Sequence, residues 1–136
     1  MLDNQKTVLL IDDNLVDLKI NSKIIKISNL FDEIITCQSG EEGLAYLRKT
    51  LNDAGKLPDL ILLDIQMPDM DGFDFLELYK KMPKKLTEKC LIAMLSSTLD
   101  YGDIKKAEAS FHVIKLLRKP LFPKELEDLL KKYFST

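Results

Sequence analysis

The sequence is poor in the residues that staple small folds or bind soft metals. Its 136 residues include two cysteines, Cys37 and Cys90, and one histidine, His112. The cysteines lie far apart, form no CxxC pair and cluster with no histidine, which argues against a disulfide framework and against a zinc site. Both sit in or beside apolar runs and read as small buried hydrophobes. His112 precedes a strand at the end away from the acids described below, so a packing or surface role suits it. No apolar run approaches the roughly 18 residues of a membrane-spanning helix. The opening MLDNQKTVLL has no basic region followed by a long apolar core, unlike a signal peptide. Net charge is nearly absent as well, since 20 basic and 22 acidic residues leave -2. That balance gives no electrostatic reason to expect a nucleic acid or a membrane as partner. There is no internal repeat, low-complexity tract or interdomain linker. The expectation is one domain over residues 1–136 without an output domain, in a soluble, reducing, cytoplasmic setting.

Hydrophobic residues make up 46% of the chain, enough for a proper core. They alternate between two kinds of segment. Short apolar runs occur at Thr7–Ile11, Ile34–Cys37, Leu60–Leu63, Leu91–Leu95 and Val113–Leu117. The first, third and fourth are apolar almost throughout, as in parallel strands covered on both faces. Helical spacing fills the intervals. Leu15, Leu18, Ile24, Ile25 and Ile27 fall on one stripe after Asn14, an N-cap candidate. Leu44 and Leu47 mark a second helix opened near Ser39, and Phe73, Leu76 and Leu78 a third. A short fourth runs from about Tyr101 to Ala109. Pro123 to Phe134 forms a fifth, with Leu126, Leu129 and Leu130 on one face. Strand and helix thus alternate five times. With right-handed crossovers the result is an α/β, three-layer (βα)5 doubly wound sandwich.

Such sheets bind ligands at the C-terminal ends of their strands. The residues found there are of a few chemical kinds. Asp12-Asp13-Asn14 follows the first strand, Asp64 the third, Ser96-Ser97-Thr98 the fourth, and Arg118-Lys119-Pro120 the fifth. Taken singly, each has an ordinary explanation as a cap, a turn former or an exposed lysine. Together they place three carboxylates, hydroxyls and a lysine on one edge. Crowded carboxylates raise one another's pKa, and a hard divalent cation relieves the repulsion. Few oxygen ligands with room for water suit Mg2+. A nucleophile, a cation and donors around a transferred group make a site for phosphoryl transfer onto a carboxylate.

These residues resemble the receiver domain of two-component response regulators, of which the chemotaxis receiver is the simplest relative. The resemblance rests on Asp12-Asp13, the apolar run ending at Asp64, the following Met67-Pro68-Asp69-Met70-Asp71-Gly72, Ser96, and Lys119-Pro120. It covers nearly the whole chain. It implies the flavodoxin-like receiver fold, a five-stranded parallel sheet in the order 2-1-3-4-5. It implies that Asp64 accepts a phosphoryl group from a sensor histidine kinase or a histidine phosphotransfer protein. Asp12, Asp13 and Asp64 would hold Mg2+, or Mn2+ in its place, with the backbone carbonyl of Gln66. Lys119 and Ser96 would contact the phosphoryl oxygens. Gln66 and Thr98 flank the path of hydrolytic water and would set signal lifetime. Pro120 matches a family proline commonly preceded by a cis bond. Position 116 departs from the usual Tyr or Phe of the family's switch, since here it is Leu116. The implied function is phosphorelay signalling through an unknown downstream protein. The implied protein is a phosphoacceptor rather than an enzyme, and a monomer or weak phosphorylation-dependent dimer.

Three other readings fit less well. An aspartyl-phosphate phosphatase wants a second acid two residues after its nucleophile, where this chain has Gln66. A flavodoxin-like carrier needs a phosphate-binding loop after the first strand, where Asp12-Asp13 would repel the phosphate of FMN. A degenerate receiver would lack part of the acidic set.

Overall fold

Each apolar run is a strand, and each is followed by helix. In chain order the elements are β1 (Thr7–Ile11), α1 (Leu15–Ser28), β2 (Glu33–Cys37), α2 (Gly40–Thr50), β3 (Leu60–Asp64), α3 (Gly72–Tyr79), α4 (Lys84–Thr87), β4 (Leu91–Ser96), α5 (Tyr101–Ala109), β5 (Val113–Arg118) and α6 (Pro123–Phe134). The computed structural model describes residues 6–53, 56–98 and 100–134. The stretch read as lacking a leader pattern begins in residues 1–5, outside the described residues. The five strands are parallel and ordered β2-β1-β3-β4-β5, the flavodoxin-like order expected from the sequence.

β1 and β3 are buried along their whole length, and β4 is buried from its second residue on. Successive strand side chains point to opposite faces, and the core divides accordingly. Leu9, Ile11, Ile61, Leu63, Ile92 and Met94 pack with Leu44 and Leu47 of α2 and Phe75 and Tyr79 of α3. Val8, Leu10, Leu60, Leu62, Ala93 and Leu95 pack with Leu18 and Ile25 of α1 and Leu126 and Leu129 of α6. Full burial of one such Leu or Ile contributes about 1.5–3 kcal/mol. The central strands are therefore the most strongly held part of the molecule. Cys37 and Cys90 are free and buried, as expected of small hydrophobes.

The helices differ from the sequence reading in three places. Ile27, assigned to the buried stripe of α1, is 72% exposed. It lies nine positions after Leu18, and about 100° per residue turns it to the opposite side. Leu15 is also exposed, because it opens the helix just as the chain leaves the sheet. Leu78 of α3 is exposed too, and Phe75 and Tyr79 fill the core in its place. Finally, Lys84–Thr87 forms a one-turn helix that is not among the five read from the helical spacing of the sequence. One turn is too short to show a period, and its anchor is the fully buried Leu86. Lys80, Lys81, Lys84 and Lys85 stay exposed around Pro83.

Two details set the edge that carries the acids. The β4–β5 pairing carries a bulge, so Ile92 faces Val113 while Ala93 faces Lys115. The extra residue puts Leu116 opposite Met94 and Leu117 opposite Leu95, matching residues that share a face. Gly72 closes the loop after β3. Its N–H donates to the Ile65 carbonyl at 2.9 Å. A Cβ there would stand 2.8 Å from the Asp64 carbonyl oxygen and 3.0 Å from Ile65 Cα. Only glycine lets α3 start this close to the strand.

Candidate functional site: an acidic sheet edge

Parallel register brings the ends of four strands together. Ile11 pairs with Leu63, Asp64 with Leu95, and Ser96 with Arg118. Backbone bonds extend the order past the strands. The Asp12 N–H donates to the Cys37 carbonyl at 3.1 Å, Ile65 to Leu95 at 2.9 Å, and Lys119 to Ser96 at 2.9 Å. Asp12, Asp64, Ser96 and Lys119 are thus neighbours because their strands are in register, and the peptide bond between Lys119 and Pro120 is cis.

The structure brings together the three acids expected from the sequence. Carboxylate oxygens of Asp12, Asp13 and Asp64 lie within 4.8 Å of one another. Asp12 and Asp64 are buried, and Asp13 is turned further toward solvent. Asp12 Oδ1 accepts from the Asn14 N–H at 2.9 Å. Asn14 in turn caps α1, its Oδ1 accepting from Val16 and Asp17 at 3.0 and 3.1 Å. The N-cap therefore fixes Asp12 and starts the helix at once.

Lys119 offsets this charge. Its Nζ donates to Asp12 Oδ2 at 3.0 Å and to Asp17 Oδ2 at 2.9 Å. It lies 3.3 Å from Asp64 Oδ1. That last contact is between charges without hydrogen-bond alignment, for Asp64 Oδ1 is buried and has no hydrogen-bond partner. Burial works to lower the Lys119 pKa. The Asp17 hydrogen bond and the charges of Asp64 and Asp12 outweigh it, and the net shift is upward. Asp64 is pushed up to about 7, first by burial and then by Asp12, against the pull of Lys119.

A buried, unpartnered carboxylate oxygen flanked by two more carboxylates fits a hard divalent cation. The donors are all oxygen, and the open side at Asp13 leaves space for water.

Ser96, Gln66 and Thr98 form a second group. Ser96 is fully buried. Its hydroxyl faces Gln66 Oε1 at 3.0 Å and also the Thr98 carbonyl, and its oxygen accepts from the Thr98 N–H at 3.1 Å. Gln66 Nε2 reaches Asp103 of α5 at 3.4 Å. Leu116 is half-buried against the α2–α3 side of the core. His112 packs edge-on against Tyr79, with ring centroids 5.3 Å apart, which is the packing alternative of the surface or packing role expected for it. Met70 and Phe73 pack against the same core.

Sequence reasoning missed Asp17, Asn21 and Asp103. Asn21 is buried in α1, and its Oδ1 accepts from the Leu121 N–H at 3.1 Å, tying the segment after Pro120 to the helix. Asp17 looked like any acid in a first helical turn, where it suits the dipole. Its distance of five residues from Asp12 was the available clue, since it places a fourth carboxylate over the same edge.

A doubly wound α/β protein with a cation-type acidic cluster at its strand ends is the class that the fold and site define. The sequence matches the family described as "Response regulator receiver domain" over residues 8–131. The chain belongs to that family, the receivers of two-component signalling. A two-component response regulator from Cytophaga hutchinsonii is 32% identical with a TM-score of 0.90, covering 98% of this chain and 100% of its own. A response regulator receiver protein from Dyadobacter fermentans is 36% identical with a TM-score of 0.88, over 96% and 99%. Among curated relatives, hybrid signal transduction histidine kinase L of Dictyostelium discoideum is 31% identical over 93% of this chain, which spans 7% of that protein. Response regulator Rcp1 of Synechocystis is 28% identical over 93% of this chain and 82% of its own length. Receivers are phosphoacceptors with an acidic Mg2+ pocket. No helix among the described residues is long and apolar enough to cross a membrane.

Proposed function

We propose that this receiver takes a phosphoryl group onto Asp64 from a phosphohistidine and signals through altered protein binding. The observation that carries the reading is Asp64 Oδ1: buried, free of hydrogen bonds, close to Asp12 and Asp13, and 3.3 Å from the Lys119 ammonium. The donor is a sensor histidine kinase or a histidine phosphotransfer protein. A carboxylate oxygen of Asp64 bonds to phosphorus as the phosphorus–nitrogen bond breaks, and the electron pair goes to the imidazole nitrogen.

Asp12, Asp13, Asp64 and the Gln66 backbone carbonyl are the proposed holders of Mg2+, with Mn2+ as a substitute. The ion supplies positive charge that keeps the acceptor ionised and offsets charge on the transferred group. Lys119 needs only a small displacement to give one of its protons to a phosphoryl oxygen. Ser96 turns its hydroxyl from Gln66 or Thr98 to another. Leu116 makes an aromatic switch impossible at that position. Gln66 and Thr98 are the residues proposed to set lifetime.

For the output surface we propose the region from Tyr101 to Phe134. It presents the exposed aromatics Tyr101, Phe111 and Phe122. The working unit is a single receiver domain acting in the cytoplasm, as a monomer or a weak phosphorylation-dependent dimer. The test is treatment with a small-molecule phosphodonor and Mg2+, read by intact mass. Wild type gains one phosphate adduct only with Mg2+, and Asp64→Asn gains none. An adduct that survives Asp64→Asn overturns the assignment.

A further inference from the structure

Gln66 is held between two residues of opposite hydrogen-bonding character. Ser96 Oγ stands 3.0 Å from its Oε1, and Asp103 Oδ2 stands 3.4 Å from its Nε2. An ionised carboxylate only accepts hydrogen bonds. The NH2 group of Gln66 must therefore face Asp103, and its carbonyl oxygen must face Ser96. The amide has one orientation, and Asp103 selects it.

Asp103 is well placed for this. It lies in the first turn of α5, whose cap is Asp100: the Asp103 N–H donates to Asp100 Oδ1 at 3.0 Å. Its own carboxylate is thus not the cap and remains available to Gln66. The pair lines an open cleft of about 480 Å³ beside the acidic edge, shared with Ile65, Met67, Phe73 and Lys106. Water reaches Gln66 from that side.

We propose that Asp103 is a positioning residue for loss of the phosphoryl group, acting through the amide orientation of Gln66. The proposal rests on Asp64 being the phosphoacceptor. When the Ser96 hydroxyl turns to a phosphoryl oxygen, Gln66 Oε1 loses its donor and faces the reacting side as a free acceptor. It then accepts from a water that approaches phosphorus. In hydrolysis the water oxygen bonds to phosphorus and the bond to the Asp64 oxygen breaks, its electron pair returning to the carboxylate. The water proton passes to solvent as inorganic phosphate forms. Without Asp103 the amide is free to turn over. It then presents NH2, which binds a phosphoryl oxygen and does not hold water.

The experiment is a double-mutant cycle on the full chain. Wild type, Asp103→Ala, Gln66→Ala and the double variant are loaded with a small-molecule phosphodonor and Mg2+. The donor is removed, and the adduct is followed by intact mass. Loss of one orienting hydrogen bond is expected to slow decay by about threefold to tenfold in Asp103→Ala. In the Gln66→Ala background the same substitution has no further effect, and Asp103→Glu restores part of the wild-type rate. A merely structural role for Asp103 would act equally in both backgrounds. Unchanged decay in Asp103→Ala, or full additivity with Gln66→Ala, overturns the proposal. Failure of the wild type to load at all overturns the phosphoacceptor reading on which it stands.

Discussion

Lys119 Nζ stands 3.3 Å from Oδ1 of Asp64, an oxygen that no hydrogen bond reaches, while the same ammonium holds Asp12 and Asp17 at 3.0 and 2.9 Å. One cation thus answers three carboxylates, and it serves the proposed nucleophile least. The arrangement explains how Asp64 can be both packed in the sheet edge and open to reaction. Its carboxylate is compensated in charge but not tied down by a donor.

Removal of Lys119 should therefore be costly. Its side chain is 8% exposed, and its loss leaves Asp12 and Asp64 buried without a counter-charge. Lys119→Ala is expected to lower unfolding free energy by about 3 kcal/mol in chelator, the usual cost of breaking a buried pair from one side. Mg2+ should then stabilise the variant more than the wild type, because the competing ammonium is gone. Urea unfolding with and without Mg2+ measures both. Equal Mg2+ stabilisation in the two proteins would count against Lys119 as the resident counter-ion.

The pH dependence follows from Asp64. Its pKa is about 7 in the fold against an ordinary 3.8. Between those values the folded state holds a proton that the unfolded state has lost. Folding stability from this group is thus full below the ordinary carboxylate value and is lost as pH rises toward 7. Lys119 is shifted upward as well, so its contribution is lost only in the alkaline range. In chelator, wild-type stability should fall from about pH 4 to about pH 7 and level off above it, by at most about 1.4 kcal/mol per unit from this group. Asp64→Asn should flatten that fall and be the more stable protein at neutral pH. Parallel curves for the two proteins would refute the assignment of the slope to Asp64.

The two thiols should be silent in the native protein. Cys37 and Cys90 are each pushed up to about 12, chiefly by burial. Reactivity follows the thiolate. Iodoacetamide near neutral pH is expected to modify neither residue in the native protein and both in denaturant, as read by mass. Rapid native labelling of either would show that its strand end opens far more readily than its burial implies.

Much of this was legible in the sequence because the strands do two jobs in one line of residues. LILLD gives a buried strand and, at its last position, the acid that the strand holds in register with Asp12 and Lys119. Period and chemistry coincide there. They did not coincide in α1, where Ile27 kept the apolar type but not the angle, and where Asp17 carried site chemistry under the cover of ordinary helix polarity. Asp103 was hidden for another reason. Its contact with Gln66 spans 37 positions and depends on how α5 is laid over the edge, which no local pattern encodes.

Gly72 offers a last test, because its requirement comes from packing rather than from backbone angle. Its φ is not positive, so strain does not forbid a side chain. The obstacle is space: a Cβ would meet Met94 Cε at 2.7 Å, the Asp64 carbonyl oxygen at 2.8 Å and Ile65 Cα at 3.0 Å. The Met94 methyl can swing away, but the two backbone atoms belong to the strand end that carries the proposed acceptor. Gly72→Ala is expected to cost about 1–3 kcal/mol by overpacking, and to slow phosphodonor loading by displacing Asp64. Gly102 makes the comparison sharp. It lies in α5, where an added Cβ meets only Asp100 Oδ1 at 3.3 Å. There helix propensity favours the same substitution by up to about 1 kcal/mol, less whatever it costs the capping Asp100 carboxylate to give way. Urea unfolding of the two variants reads the sign directly. A neutral Gly72→Ala would mean that α3 can back away from β3 without disturbing the acid.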